Sequence, residues 1–249
     1  MRKRLLTKLE KDPNIDYRGE NPSRMDNLTD AVFGIAVTLL IFNLSNPNSL
    51  KDLIAFTKTL PAFLVSIGFL IIIWKEHSRF SEIYGLRGPW FVFLNSLFIA
   101  LVIFYVYPLR FLTLFMTQAI FGTDLPVTIS PQEIPDIMIY YGFVAFALYF
   151  ILLWFYHLAL KKKEILQLNE YEVMHTKMVR KRMILMCVVP IASILLVTGL
   201  RGVSIPLACF LGGMMYSLYT PAIIFWAKGY EKKASELIDE NPDFVAKES

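Results

Sequence analysis

The sequence is poor in the residues that build catalytic and metal centres. Its 249 residues include only three histidines, His77, His157 and His175, and two cysteines, Cys187 and Cys209. The histidines are not at metal-ligand spacing and both cysteines lie inside apolar runs, so neither a metal site nor a disulfide framework is expected. No nucleotide-binding loop, zinc-protease motif or nucleophile elbow occurs. These absences argue against an enzyme and predict no cofactor.

The chain also lacks a stretch polar enough to form a separate soluble domain. Hydrophobic residues make up 55% of it, against about 45–50% in a soluble domain, and the excess is gathered into long runs. The alternation of apolar and polar residues that marks outer-membrane barrels is absent. Because backbone polar groups in lipid must be satisfied within the segment, the runs predict helices. The expected fold is an all-α integral membrane protein, with residues 1–249 forming one transmembrane domain.

Six runs have the composition of transmembrane helices, each of which needs about 20 largely apolar residues. The first two runs are short, and short charged or polar connections separate all six. The predicted spans are residues 27–44, 59–74, 90–116, 137–160, 183–200 and 204–227.

Positive charge is distributed unevenly among the connections. Lys and Arg are concentrated in residues 1–25, 75–89, 161–182 and 228–249, whereas residues 117–136 contain none. Basic connections of a membrane protein stay in the cytoplasm. The alternation holds through all six spans, so both termini of a cell-membrane protein are predicted to be cytoplasmic. The net charge of +4 comes from these helix ends, and no nucleic-acid partner is expected.

Three polar segments carry further expectations. Residues 123–135 contain three prolines and predict an irregular outer loop. Residues 161–182 mix apolar residues with charges, which predicts cytoplasmic extensions of the fourth and fifth helices around a turn near Asn169. The tail after Lys228 mixes acidic and basic residues and is expected to be partly disordered.

The first span carries a stripe of residues at helical spacing. At about 100° per residue, Ala31, Ile35, Thr38, Leu39 and Phe42 fall on one face. One interpretation is helix packing, because large aliphatic residues at this spacing usually pack. The other is a pore lining, in which Ile35, Leu39 and Phe42 from several subunits form an apolar constriction that gates by dewetting. Thr38 then supplies hydroxyl oxygens that replace part of an ion's water shell.

Asp30 is an ionisable residue within the first span, where such groups cost free energy and suggest function. It lies about 140° from Ile35 on the helix, so it faces a different neighbour. Its expected partners are Arg24, His77 or Asn95, which lie at a similar depth. We favour a hydrogen-bonded structural cluster over a proton relay, with His77 as a satisfied helix-end residue rather than a metal ligand.

The start of the first helix follows a known pattern, Arg-x-x-x-Phe-Ser-Asp before an apolar run of the Ala-Ile-x-x-Thr-Leu-Leu kind. Here it reads Arg24-Met-Asp-Asn-Leu28-Thr29-Asp30, then Ile35-Ala-Val-Thr38-Leu39-Leu40. The chain thus resembles the transmembrane protein 175 family, the lysosomal-type potassium channels and their prokaryotic relatives. Two residues depart from the pattern, since Leu28 loses an aromatic contact and Thr29 adds a methyl group to the hydroxyl.

The resemblance extends along the chain and carries its own implications. Counterparts of the family's segments are Trp74-Lys-Glu-His77, Asn95 and Tyr107-Pro108-Leu109-Arg110. A single six-helix unit is similar to a prokaryotic member, because animal members carry two. The family implies a homotetramer whose first helices line a central pore, with potassium conducted without a Thr-Val-Gly-Tyr-Gly filter.

Carried onto this sequence, the resemblance assigns roles to particular residues. The constriction falls at Ile35, Leu39 and Phe42, and the selectivity layer falls at Thr38. The polar network that holds the pore helix is assigned to Arg24, Thr29, Asp30, Trp74, His77 and Asn95.

The expected function is therefore a passive, potassium-selective cation channel whose partners are potassium ions and the lipid bilayer. A secondary or proton-coupled transporter is one alternative, because glycines and prolines interrupt the last two spans. Close helix packing explains the same residues. A non-conducting membrane scaffold is the other alternative, in which the polar cluster only supports assembly.

Overall fold

The computed structural model describes residues 11–42, 48–122, 129–241 and 243–244, and all regular structure within these ranges is helical. A 3₁₀ turn, Pro131–Glu133, precedes the fifth of the eight α-helices found in these ranges. The α-helices are α1 (Arg24–Phe42), α2 (Leu50–Thr57), α3 (Leu60–Tyr84), α4 (Pro89–Phe121), α5 (Ile134–Lys161), α6 (Glu170–Leu200), α7 (Ile205–Ser217) and α8 (Tyr219–Glu240).

Several of these helices are suited to a membrane, which confirms the predicted all-α membrane fold. Helix α1 has 19 residues, and its first seven include three charged side chains, Arg24, Asp26 and Asp30. It is not one of the described segments that are long and apolar enough to cross a membrane, so its crossing stays a prediction. The last candidate combines α7 and α8, which meet at Leu218. By length and composition, five described segments could cross: Leu60–Tyr84, Pro89–Phe115, Pro131–Lys161, Glu170–Leu200 and Ile205–Glu240.

Helix α3 is longer than the predicted second span and ends at Tyr84 instead of Trp74. The added turns are polar in composition, yet His77, Phe80, Ser81 and Tyr84 are all buried. Their spacing of three and four residues places them on one face of a helix. A search for apolar runs alone misses such an amphipathic extension.

The segment between α5 and α6 differs in part from its prediction. Helix α6 does extend back to Glu170, and Asn169 caps it by accepting a hydrogen bond from the backbone N–H of Glu172. Helix α5 has no matching extension and ends at Lys161. Of the predicted outer loop, residues 123–128 lie outside the described residues.

The prediction of a partly disordered tail is wrong for residues up to Glu240, because α8 continues to that position. Ala234 on this helix is buried, and Ile238 packs against the main core. The mixed charges therefore occupy the outer faces of an amphipathic helix. Residues 1–10 of the predicted N-terminal segment and 245–249 of the tail lie outside the described residues.

The helices form two groups that share one core. Helix α1 packs against α3 and α4, whereas α6 packs against α5, α7 and α8. Helices α4 and α3 contact α5 and so join the groups. Aromatic rings fill the junction, where Phe80 and Phe155 stack with ring centroids 5.2 Å apart. This arrangement leaves α1 at the edge of the helix bundle.

Candidate functional site

Helix α1 has one face buried against its neighbours. Thr29 and Ala36 have no exposed surface, and Val32, Phe33 and Leu40 are each at most 8% exposed. Their spacing of three and four residues makes a continuous helical stripe. Phe33 contacts Phe98 of α4, with ring centroids 6.1 Å apart. This face fixes α1 to the neighbouring helices.

The opposite face of α1 is exposed and carries the predicted pore stripe. Ala31 and Thr38 are exposed, and Ile35 is 53% exposed. Leu39 lies at the edge of this face and is half-buried against the core. The side chain of Phe42, the third predicted constriction residue, lies outside the described part of the structure.

Thr38 has its hydroxyl oriented by the helix itself. Its Oγ1 donates to the carbonyl oxygen of Ile35 at 2.7 Å. Back-bonding of this kind uses the hydroxyl hydrogen. The lone pairs of Oγ1 remain on the exposed side, where they can accept a hydrogen bond from water or contact a cation.

The buried face of α1 is joined to α3 and α4 by a chain of hydrogen bonds. His77 Nε2 lies 2.6 Å from Asn95 Oδ1, and Asn95 Nδ2 donates to Thr29 Oγ1 at 2.8 Å. Thr29 Oγ1 donates in turn to the carbonyl oxygen of Met25 at 2.9 Å. Because Asn95 Oδ1 can only accept, the chain assigns the His77 proton to Nε2.

The side chains that form this chain of hydrogen bonds are buried. Thr29 and Asn95 have no exposed surface, and His77 is 2% exposed. The His77 ring stacks on Phe98 at a centroid distance of 5.0 Å. Enclosed polar groups that are fully bonded hold one arrangement of helices. Across the described residues, no cluster of His, Cys, Asp and Glu is able to hold a metal ion.

Asp30 does not use any of its three expected partners. It accepts a hydrogen bond from Trp74 Nε1 at 2.8 Å instead, and both side chains are exposed. Arg24 is exposed and makes no hydrogen bond or ion pair with any residue that the structure describes. The predicted network therefore separates into a buried hydrogen-bond chain, an exposed Asp30–Trp74 pair and an arginine that has no partner among the described residues.

Asp26 makes a contact with α3 that was not predicted from the sequence. Its carboxylate accepts hydrogen bonds from the hydroxyl of Ser81 on α3 and from the backbone N–H of Ser23 at 2.7 Å. Asp26 precedes Asp30 by four residues, so the two carboxylates lie on the same side of the helix. This spacing of four residues could have indicated that both Asp26 and Asp30 contact α3.

A partly buried ion pair ties the segment before α1 to the start of α6. Arg18 Nη1 and Nη2 donate to the two carboxylate oxygens of Glu172 at 2.5 Å and 2.8 Å. Arg18 Nε also donates to the carbonyl oxygen of Leu166 at 2.7 Å. The hydrogen bond to Glu172 raises the pKa of the Arg18 guanidinium above its ordinary value. No local sequence signal predicts this pair, because its members are 154 residues apart.

The same segment crosses the end of α3 at very close range. Gly19 N–H donates to the carbonyl oxygen of Glu82 at 2.9 Å. A Cβ atom on Gly19 would lie 1.9 Å from the carbonyl oxygen of Ser81, and Gly85 ends α3 with a φ of +51°. Only glycine fits both positions. Residues 11–23 thus connect α1, α3 and α6 at one end of the helices.

Comparisons with known proteins agree on one family. The profile described as "Endosomal/lysosomal potassium channel TMEM175" matches residues 24–105. A "Potassium channel" of Marivirga tractuosa is 34% identical over 248 residues, which cover 96% of this chain and 100% of the relative. A potassium channel of Chamaesiphon minutus is 26% identical over 140 residues, covering 53% of this chain and 63% of the relative.

A solved structure gives the same result. The crystal structure described as the potassium channel MtTMEM175 T38A variant, in complex with a Nanobody–MBP fusion protein, is 32% identical and has a TM-score of 0.79. The match covers 89% of this chain and 99% of that chain. The similarity spans nearly the whole length of both proteins and confirms the resemblance noted at the start of the first helix. This chain therefore belongs to the TMEM175 family, an ion-channel family and not a family of enzymes.

Proposed function

We propose that this protein is a passive, potassium-selective channel in which α1 of four identical subunits lines a central pore. The observation that carries the proposal is the uncovered stripe of α1. Thr38 and Ile35 are exposed in the subunit, although they lie on a helix whose other face is fully packed. A homotetramer with this stripe at its axis gives the exposed residues a role.

The chemistry of the stripe suits a gate and a selectivity layer. Ile35 and Leu39, repeated around an axis together with Phe42, form an apolar ring that excludes water when narrow and conducts when it widens. Thr38 lies one turn from Ile35 and offers outward lone pairs. A K⁺ ion is larger than Na⁺ and loses its water at lower cost, so a ring of fixed width with a few hydroxyl oxygens favours K⁺.

The buried polar groups have a supporting role in this proposal. The chain of His77, Asn95 and Thr29 holds α1 against α3 and α4. The Asp30–Trp74 pair lies on the exposed side of the same contact. Arg24 starts the helix and is assigned to the network on the family pattern. These groups fix the angle at which α1 presents its stripe, and they bind no ion themselves.

We also propose six crossings, with both termini on the cytoplasmic side of the cell membrane. Helix α1 has 19 residues, which at 1.5 Å per residue is about 28 Å long and close to the hydrocarbon thickness of about 30 Å. Together with the five candidate spans, α1 gives six crossings, and an even number of crossings puts both termini on the same side of the membrane. Protease accessibility of tags placed at both termini, in inside-out vesicles, tests this topology.

The reversal potential of the purified protein in a planar bilayer tests the channel proposal. We expect a large shift toward the K⁺ equilibrium potential when K⁺ is on one side and Na⁺ on the other. A reversal near zero would replace the selective channel with a non-selective pore. Saturating, ion-coupled turnover without unitary currents would favour a transporter, and the absence of flux would favour a scaffold.

A further inference from the structure

A cavity of about 630 Å³ lies between α6 and α8. Small-molecule sites have volumes of about 300–1,000 Å³ and are lined mainly by apolar and aromatic side chains with a few polar groups. Residues of α3, of α5 and of the segment before α1 complete the lining of this cavity. A molecule bound there would therefore contact several parts of the chain at once.

Aromatic side chains line the cavity, and hydrogen bonds hold two of them in place. Trp226 Nε1 donates to the carbonyl oxygen of Met178 at 2.7 Å, and the Tyr230 hydroxyl lies 2.9 Å from His175 Nδ1. Rings that are fixed in this way offer apolar faces and edges to another flat ring. The four aromatic residues of the lining are Tyr156, Tyr171, Trp226 and Tyr230.

Two nitrogen atoms of the lining, His175 Nε2 and Arg182 Nε, are buried and have no hydrogen-bond partner among the described residues. His175 is only 4% exposed. When the Tyr230 hydroxyl donates to His175 Nδ1, the ring proton lies on Nε2. Both nitrogen atoms are then donors without an acceptor, which is unfavourable in a buried position. An acceptor from outside the chain would satisfy them.

The two arginines of the lining have further unused donors. Arg79 makes no hydrogen bond or ion pair with any residue that the structure describes. Arg182 donates to Glu76 through Nη2 at 2.6 Å, and its Nη1 makes no hydrogen bond within the described ranges. Guanidinium groups recognise carboxylates and phosphates through paired N–H donors. The wall formed by α3 and α6 is therefore suited to an anionic group.

Carboxylates also line the cavity, but among the described residues none of their oxygen atoms is buried without a partner. Asp12 Oδ1 accepts from the backbone N–H of Asn14 at 3.1 Å, and Asp12 Oδ2 accepts from the Tyr171 hydroxyl at 3.0 Å. Glu231 and Asp239 are exposed on α8, where water and salt screen their charges. The buried groups of the lining that need a partner are thus donors.

We propose that this cavity binds a small organic anion with a flat apolar body, of the class of aromatic carboxylates and aromatic phosphate esters. Its charged group contacts Arg79 and Arg182, one of its oxygens accepts from His175 Nε2, and its ring lies against Trp226 and Tyr230. His175 Nε2 and Arg182 Nε are shielded from water in the structure, so these side chains turn toward the anion as it binds, which is a common change at binding sites. The site depends neither on ion conduction nor on the membrane topology.

Fluorine NMR of the full-length protein labelled with fluorotryptophan, in micelles of a neutral detergent, tests the site with benzoate as the probe. Arg182 Cζ lies 5.1 Å from the centroid of the Trp226 ring, so the Trp226 resonance reports both the bound ring and a movement of Arg182. Trp226→Phe assigns this resonance. The other tryptophans report probe that enters the micelle. Benzyl alcohol and benzylammonium are the neutral and cationic comparisons of similar shape.

We expect benzoate to shift the Trp226 resonance until it saturates, and the two comparison molecules to leave it in place. Arg79→Gln should weaken benzoate binding roughly tenfold, because it removes a charged donor. Arg87→Gln is the matched control, since Arg87 is also exposed, has no ion pair in the described part of the chain and lies outside the lining. Its benzoate affinity should stay within about twofold of the unmodified protein.

Four results would overturn the proposal. Equal weakening in Arg79→Gln and Arg87→Gln would replace the site with diffuse attraction of anions. Tighter binding of benzylammonium than of benzoate would assign the cavity to cations, through Glu231 and Asp239. Inorganic phosphate that displaces benzoate with equal affinity would show that the aromatic walls contribute nothing. The absence of a saturable shift with benzoate would exclude the site altogether.

Discussion

The two faces of α1 differ in almost every physical property, although they belong to one helix of 19 residues. The face with Thr29 and Phe33 is buried, and its hydroxyl takes part in a continuous hydrogen-bond chain. The face with Ile35 and Thr38 is exposed and bonds only to its own backbone among the described residues. The first face holds α1 against its neighbours, and the second has no comparable contact among the described residues.

This difference separates stability from conduction at neighbouring positions. A change on the buried face should lower the free energy of unfolding, because it leaves a cavity or an unpaired polar group. A change on the exposed stripe should leave the unfolding free energy nearly constant and act on ion flow. The four variants below test this separation, from the largest expected effect on stability to the smallest.

Phe33→Ala should cause the largest loss of stability. Phe33 is 6% exposed and packs on Phe98. Lipid tails are as apolar as the side chain, so the loss comes mainly from the cavity and from lost packing. We expect about 3 kcal/mol, measured by SDS titration in mixed micelles and followed by circular dichroism. Ile35→Ala is the matched control on the same helix, and an equal loss in that variant would remove the distinction between the faces.

The buried face could be predicted only in part from the sequence. The helix and the stripe at Ile35 and Thr38 follow from apolar spacing, which is a local property. The burial of Thr29 does not, because it depends on Asn95 being directly opposite. Side chains that meet across helices leave no period in the sequence, and the family pattern was needed to bring them together.

Asn95→Ala should cause the second largest loss. The change removes the central member of the hydrogen-bond chain and leaves His77 Nε2 without its acceptor. Thr29 Oγ1 loses its donor but keeps its own bond to the carbonyl oxygen of Met25. An enclosed polar group without a partner costs about 1–3 kcal/mol, and we expect about 2 kcal/mol in the same titration. The double variant with Thr29→Val should lose less than the sum of the single variants. Strict additivity would show that the two residues act independently.

The exposed polar groups show why the partners expected for Asp30 were wrong. Angular arithmetic placed Asp30 away from the pore stripe, and its bond to Trp74 on α3 is compatible with that direction. The helical angles do not distinguish between candidate partners at the same depth, because Arg24, His77 and Trp74 all lie near the same end of the helices. The choice depends on how α1 is rotated against α3, which tertiary packing determines. The Arg18–Glu172 pair could not be predicted from the sequence for the same reason, because its members are 154 residues apart.

Ile35→Asn should leave the unfolding free energy within about 0.5 kcal/mol, as for most exposed positions. Its effect should appear in the bilayer instead. An amide at the proposed apolar ring favours water in the constriction, so the basal current should rise. The measurement is the current at a fixed voltage per unit of reconstituted protein. Leu28→Asn serves as the control, because Leu28 is 52% exposed but lies outside the proposed ring. A basal current unchanged in Ile35→Asn would exclude Ile35 from the gate.

Thr38→Ala should have the smallest effect on stability and a specific effect on selectivity. The hydroxyl bonds only to the carbonyl of Ile35, within its own helix, and removing it leaves that carbonyl in the helical ladder. Lost oxygen contacts to K⁺ should lower the K⁺/Na⁺ permeability ratio roughly two- to fivefold, measured from reversal potentials, while conduction persists. Thr38→Ser keeps the oxygen and loses only the methyl group, so its ratio should stay near that of the unmodified protein. If the serine variant loses as much selectivity as the alanine variant, pore width rather than the hydroxyl oxygen discriminates between the ions.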